Sequence, residues 1–334
     1  MSKRLRVGLI GAGMVSRHHL IAWASLADDA RVVAIADPST ENAMQRASEF
    51  GIDATFSTAD QMLSETELDV VDIAAPRAYH AELVRHAAKR GLPILCQKPL
   101  APTLRQAEEL AEEVNAKTRL MVHENWRFRG YYREAAAWLR ENRIGHVKQA
   151  QLTLLTSGVL PDSNGRRPAL ERQPFMRAEK RMLVAEVLIH HLDTLRVLLG
   201  PLHVKAAALS RTCPELAGED GAVIQLKAQN GAAVSIFASF AANGYPAALL
   251  DRLEILGENG SIRLDGPLLT CSGKSPDERS YDLAAEYQGS YNAAIAHFIH
   301  ALRNNHPFET SPEDNLKTLA LVEDCYRLSN WEAA

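Results

Sequence analysis

Cysteine is scarce in this chain, and the four present, Cys96, Cys213, Cys271 and Cys325, are scattered with no CxxC pair. That argues against a disulfide framework and against a soft-metal cluster. No stretch reaches the roughly eighteen unbroken apolar residues of a membrane span. The opening "MSKRLRVGLIGAG" passes from a short basic tail directly into a strand pattern rather than through a signal peptide, so a cytoplasmic protein with no membrane partner is expected. Positive charge is not in excess either: 37 Lys and Arg face 41 Asp and Glu, a formal charge of -4, which offers nothing general to a nucleic acid. The HExxH signature is missing, and no metal is expected.

What is present is apolar and well punctuated. With 334 residues, 46% of them hydrophobic, the chain exceeds the size at which one core usually keeps growing, and two domains are expected, residues 1–123 and 124–334. "LRVGLIGAGMVSRHHLIAWASL" reads as a strand, a glycine turn and a helix, and "ARVVAIADPS" as a second strand ending in Asp37. This is the order of a dinucleotide site. Gly11 and Gly13 permit a tight turn and the approach of a pyrophosphate to a helix N-terminus, with the small Ser16 in the place of a third glycine. Asp37 lies 21 residues beyond Ser16, near the spacing at which a carboxylate accepts from ribose hydroxyls, and its charge favours NAD over NADP.

Two more strand patterns, "DVVDIAA" and "PILCQ", enclose the helical "YHAELVRHAAKRG" and continue a parallel sheet. Ligands bind beyond the carboxyl ends of such strands, where "AAPRAYH" and "CQKPL" emerge. Pro99 biases the preceding Lys98 towards extended backbone, from which its ammonium can enter a cleft. The first domain is therefore expected to be a doubly wound Rossmann sheet, and the α/β fold is completed by an α+β domain. "HVKQAQLTLLT", "HVKAAALSR", "GAVIQLKAQ", "AVSIFASFA", "DRLEILGEN" and "GSIRLDG" alternate as strands of a large open, mostly antiparallel sheet, and two helices close the chain.

"MLVAEVLIHHLDTLRVLLG" interrupts an apolar helix with Glu186, His190, His191 and Asp193. At α-helical spacing Glu186, His190 and Asp193 share a face and His191 points about 100° away. His190 is the candidate acid/base, while His191 is expected to pack and to tolerate substitution better.

In order along the chain, "GLIGAGMVSRHH", "AAPRAYHAELVRHAAKRGLPILCQKPL", "NWRF", "AEVLIHHLD", "LEILGENGSIRLDG" and "SPEDNLKTLALVEDCYRLS" resemble the Gfo/Idh/MocA family of NAD(P)-dependent oxidoreductases. The resemblance implies catalytic Lys98 and His190, and cofactor contacts at Gly11, Ala12, Gly13, Met14, Val15, Asp37, Pro76, His80, Gln97 and Lys98. Substrate contacts are implied at Arg127, Glu186 and Asp193, with Gln97 standing where the family commonly has an acid and Glu186 where it usually has an aspartate. The implied activity is NAD-dependent oxidation of a sugar hydroxyl, with C1 of a cyclic aldose such as D-apiose as the leading substrate. A cyclic polyol, a lyase or hydrolase reaction with transient redox, and a noncatalytic sugar or NAD sensor are the alternatives. Family members resemble homodimers or homotetramers, and self-association is expected here.

Overall fold

The computed structural model describes residues 3–115 and 117–331, which divide into two compact units. The first comprises residues 1–128 together with 287–319. Its sheet contains β1 (Leu5–Ile10), β2 (Ala30–Ala36), β3 (Ala54–Phe56), β4 (Val70–Ile73), β5 (Ile94–Gln97) and β6 (Leu120–His123). The order is β3-β2-β1-β4-β5-β6, every pair parallel. β4, β5 and β6 are buried throughout, which is why they read as apolar runs, with Asp72 inside β4 and Gln97 and His123 at the ends of β5 and β6 as the exceptions. The connecting helices are α1 (Met14–Ser25), α2 (Thr40–Phe50), α3 (Ala59–Glu65), α4 (His80–Lys89) and α5 (Leu104–Asn115). The strand order reverses beside β1, so the turn after β1 and the loop after β4 lie at the crevice where such sheets take ligands.

The second unit comprises residues 129–286 and 320–334. It holds α6 (Gly130–Arg140), β7 (Val147–Leu155), α7 (Pro168–Arg172), a π-helical turn over Leu183–Leu188, and α8 (Ile189–Leu199). Then come β8 (Leu202–Ser210), β9 (Gly221–Ala228), β10 (Ala233–Ser239), β11 (Arg252–Gly257), β12 (Ser261–Asp265), β13 (Leu268–Ser272) and β14 (Asp277–Ser280). These strands form an eight-stranded sheet in the order β14-β13-β12-β11-β7-β10-β9-β8, antiparallel except for β7 with β10. In β9, β10 and β11 buried residues alternate with more exposed ones, so one face of the sheet packs a core and the other is open. Val223 and Phe237 are cross-strand partners on that open face.

The chain closes with α9 (Leu283–Arg303) and α10 (Pro312–Ser329). Here the structure departs from the continuous division expected from sequence, because residues 287–319 return to the first unit. Tyr291, Ala294, Ile295, Phe298 and Ile299 of α9 share one core with Val7, Leu9 and Trp23, and Phe298 stands edge-on to Trp23 at 6.4 Å. An apolar stripe on a helix shows that something covers it, not which sheet does. Among the described residues, no helix is long and apolar enough to cross a membrane.

Candidate active site

In the first unit the turn after β1 is built around Gly11, whose φ of +102° suits glycine and whose Cβ would lie 2.7 Å from the main chain of Ala74. The protein itself requires this glycine. Gly13 is different: it starts α1 at φ -72°, and a Cβ there would meet nothing within 4 Å. No side chain caps α1 and no acid lies in its first turn, so the space beside Gly13 faces N–H groups that suit an anion. Ala12, Met14 and Val15 belong to the same turn. Ser16 is buried and its hydroxyl donates to Gly13 O at 2.6 Å, the compact contact its small size predicts.

Asp37 is tied into this turn. One carboxylate oxygen accepts from Ala12 N–H at 2.7 Å and the other from Ser39 N–H at 2.8 Å. Each oxygen retains further acceptor capacity, so the side chain holds the turn and can still accept from a ribose. The glycine turn, the space at Gly13 and the half-buried Asp37 fit a dinucleotide.

The loops after β4 and β5 meet at His80. Its Nδ1 lies 2.7 Å from Pro99 O and its Nε2 2.8 Å from Ala75 O. Both partners only accept, so an imidazolium satisfies both and a neutral ring only one. Pro76 starts the short turn leading into α4. Gln97 ends β5, and its Oε1 accepts from Lys98 N–H at 2.7 Å; Lys98 is half-buried and is followed by a cis peptide to Pro99.

Arg127 is tied to its own unit. It is 3% exposed, bonds Asp314 at 2.5 Å and donates to Glu309 O at 3.2 Å, so its guanidinium secures the chain ahead of α10. That arrangement argues against a substrate contact. Asn125 beside it donates to Ser290 Oγ on α9 at 2.7 Å.

In the second unit, His190 follows the π turn and is 8% exposed. The turn has a built start. Glu219 is fully buried, and its carboxylate accepts from Met182 N–H, Val184 N–H and Tyr326 OH at 3.1, 2.9 and 2.5 Å. Glu219 O takes Leu183 N–H and the Tyr326 hydroxyl takes Ala185 N–H. Burial raises the Glu219 pKa, against the lowering effect of those donors. The end of the turn is visible at Ile189 N–H, which reaches back five residues to Val184 O.

The π turn corrects the face expected from sequence. Placing Glu186, His190 and Asp193 together assumes 3.6 residues per turn, and one extra residue rotates what precedes it by about 100°. Glu186 is half-buried within the turn, whereas Asp193 is buried in α8 and bonded to Arg196 at 3.3 Å. His191 is more firmly held than expected. Its Nε2 donates to Asp251 at 2.9 Å and its Nδ1 lies 3.2 Å from Val187 O. Tyr132 donates to the same carboxylate at 2.9 Å, with Arg129 3.4 Å away. Burial alone would raise the Asp251 pKa, but His191, Arg129 and Tyr132 hold it well below the usual carboxylate range.

Sequence reasoning did not pick out Asp72, Glu219, Asp251 or Tyr326. Only Asp72 carried a signal, as a lone charge inside the apolar run "VVDIAA". Among the described residues no group of three or more His, Cys, Asp or Glu is placed to hold a metal.

The parallel sheet, its glycine turn and the acid after β2 define a dinucleotide-binding architecture. Residues 5–125 match the NAD-binding Rossmann fold of the Gfo/Idh/MocA oxidoreductase family, and residues 137–331 match its C-terminal alpha/beta domain. The chain belongs to that family and is an NAD-dependent oxidoreductase. It is 33% identical to a D-apiose dehydrogenase of Paraburkholderia graminis, over 97% of this chain and 87% of that protein. It is 31% identical to a D-apiose dehydrogenase of Rhizobium rhizogenes, over 96% of this chain and 94% of that one. An Agrobacterium radiobacter oxidoreductase, solved in complex with NAD+, L-tartaric acid and magnesium, superposes with a TM-score of 0.90 at 28% identity, covering 98% and 97% of the two chains.

Proposed function

We propose that this chain oxidises a sugar hydroxyl, with C1 of a cyclic aldose such as D-apiose as the reacting carbon and the lactone as product. The near-full-length similarity to two D-apiose dehydrogenases carries the choice of substrate. NAD, when bound, supplies the hydride acceptor; Gly11, Ala12, Gly13, Met14, Val15 and Asp37 would hold its adenosine and pyrophosphate, and Pro76, His80, Gln97 and Lys98 the remainder.

In this reading His190 takes the proton of the C1 hydroxyl as the carbonyl forms. A neutral imidazole has the right basicity near neutral pH. Lys98 donates a hydrogen bond to the same oxygen and stabilises its developing charge. Glu186, half-buried beside the π turn, orients sugar hydroxyls; Asp193 acts through α8 rather than on substrate. The four free, buried cysteines support a reducing compartment, and the reading places the enzyme in the cytoplasm. The open face of the eight-stranded sheet, with Val223 and Phe237 exposed, supports self-association into a dimer or tetramer.

The test is NADH formation over a panel of aldoses, D-apiose and inositols. D-apiose should be the preferred substrate, and His190→Ala and Lys98→Ala should each lose about tenfold or more in turnover. Preference for an inositol would move the assignment to cyclic polyols. Product without NADH would indicate a lyase or hydrolase with transient redox, and binding without turnover a sensor.

A further inference from the structure

The first unit buries an acid that the proposed chemistry does not use. Asp72 lies in β4, fully buried, and its carboxylate meets Trp23 Nε1–H at 2.7 Å and His19 Nδ1 at 2.9 Å. His19 is also fully buried, with its Nε2 3.3 Å from Gln97 Nε2. Gln97 Oε1 in turn accepts from the main-chain N–H of Lys98 at 2.7 Å. A polar chain thus runs from β4 through α1 to the end of β5.

The direction of each proton follows from the two ends of this chain. A main-chain N–H only donates, so the amide oxygen of Gln97 faces Lys98 and its NH2 faces His19. Opposite an NH2, His19 Nε2 must offer its lone pair. The ring proton then sits on Nδ1, where Asp72 accepts it. Every contact pairs one donor with one acceptor, and a single carboxylate suffices. The plane of the imidazole is fixed as well, since His123 of β6 packs against it at 4.3 Å between centroids and Tyr291 of α9 stands edge-on at 5.5 Å.

We infer that Gln97 is a positioning residue: Asp72, His19 and Gln97 form a one-way hydrogen-bond chain that fixes the backbone at Lys98. This rests on the reading in which Lys98 acts on the substrate oxygen. Gln97→Glu would place a carboxylate at each end of the ring, which only an imidazolium satisfies, so this variant exchanges the neutral ring of the parent for a charged one. Trp23 Nε1–H and His19 Nδ1–H share one oxygen of Asp72, so Asp72→Asn with Gln97 kept can leave its amide oxygen there, but its NH2 then stands against Nδ1–H where the other oxygen lies at 3.1 Å. The pair Asp72→Asn with Gln97→Glu restores complementarity with the chain reversed. The carboxylate introduced at position 97 then accepts from Lys98 N–H and from His19 Nε2–H, while the amide introduced at position 72 donates to Nδ1 and accepts from Trp23.

The experiment is a double-substitution cycle read in two ways. Misplacement by about an ångström costs up to about a hundredfold in rate, so Asp72→Asn, which alters no proposed cofactor contact, should lose about tenfold or more in kcat with the KM for NAD little changed. The double variant should recover most of that loss. Independently of any substrate, nitrogen NMR of histidine-labelled protein, with His19 assigned through His19→Gln, should find the proton on Nδ1 in the parent and on Nε2 in the double variant. A parent ring protonated on Nε2, or a double variant no faster than its slower parent, would overturn the inference. Failure of the parent to oxidise any sugar would instead remove the proposed function, leaving the NMR result to decide the chain. If a single variant fails to fold, the parent spectrum still decides the tautomer.

Discussion

Replacing Gly13 by alanine would separate ligand binding from folding. The residue has φ -72° and ψ -165°, which L-residues adopt readily, and a Cβ there meets no protein atom within 4 Å. Alanine is disfavoured against glycine at the N-cap of α1 by about 0.5–1 kcal/mol, and the smaller freedom of the unfolded chain returns about 0.4–1 kcal/mol, so the fold should keep close to its parent stability. The methyl instead enters the space beside the uncapped first turn of α1, where a pyrophosphate is expected. One hydrogen bond from a main-chain N–H to a charged oxygen contributes about 1.5–3 kcal/mol. Losing one weakens NAD binding about 10- to 150-fold. Gly11→Ala is the contrast, because φ +102° and the Ala74 main chain 2.7 Å away strain the fold itself. Denaturant midpoints without cofactor and calorimetric titration with NAD measure the two effects. If Gly13→Ala binds NAD as tightly as the parent, the pyrophosphate does not lie over this turn; if it unfolds early, the space beside Gly13 is not open.

Two further changes probe the frame around His190. Asp251 has a lowered pKa in the folded state, so its stabilising effect is fully present above the ordinary aspartate value of about 3.9 and is lost as pH falls through its lower folded value. Asp251→Asn should cost about 3–5 kcal/mol at neutral pH, because Arg129 and His191 then face a neutral amide, and should flatten the acid limb of stability measured by denaturant titration at several pH values. Glu219→Gln leaves one acceptor oxygen for Met182 N–H, Val184 N–H and Tyr326 OH, and should cost about 0.5–2 kcal/mol, the range of a lost helix cap. The Glu219 pKa is raised in the fold, so its own contribution is greatest below the ordinary carboxylate range and declines as pH rises through the folded value. The Glu219→Gln deficit should therefore change with pH in the opposite sense to that of Asp251→Asn, and equal pH slopes would refute the assignment.

Most of the first sheet was legible because buried parallel strands are largely apolar, and β1, β2, β4 and β5 stand out as apolar runs interrupted only by Arg6, Arg31, Asp72 and the terminal Gln97. β3 did not, being three residues long and not fully buried. β14 was hidden for another reason: "DERS" carries the charge that protects an exposed sheet edge and has no alternation to read. Asp37 and the glycine turn were legible from spacing. The bond from Asp37 to Ala12 N–H was not, since the spacing describes the ligand's needs and not the turn's own. Arg127 shows the limit from the other side. An arginine in "NWRF" carries the same letters whether it meets a sugar or Asp314, and only the return of the chain to the first unit supplies Asp314.

His190 and His191 show why adjacency in sequence was a poor guide to rank. The expectation that His191 would tolerate change rested on its lying off the polar face of a regular helix. The helix is not regular before Ile189, and the relevant surroundings come from far along the chain: Asp251 binds His191, while Glu219 and Tyr326 satisfy the N–H groups that open the π turn. A π turn forgoes the tighter α-helical pairing, so it persists where other groups take the freed donors. Glu219 does so for Met182, Leu183 and Val184. His191, held at both ring nitrogens one residue after His190, then fixes the first turn of α8. Removing the His191 contacts would therefore reach His190 through the backbone they share.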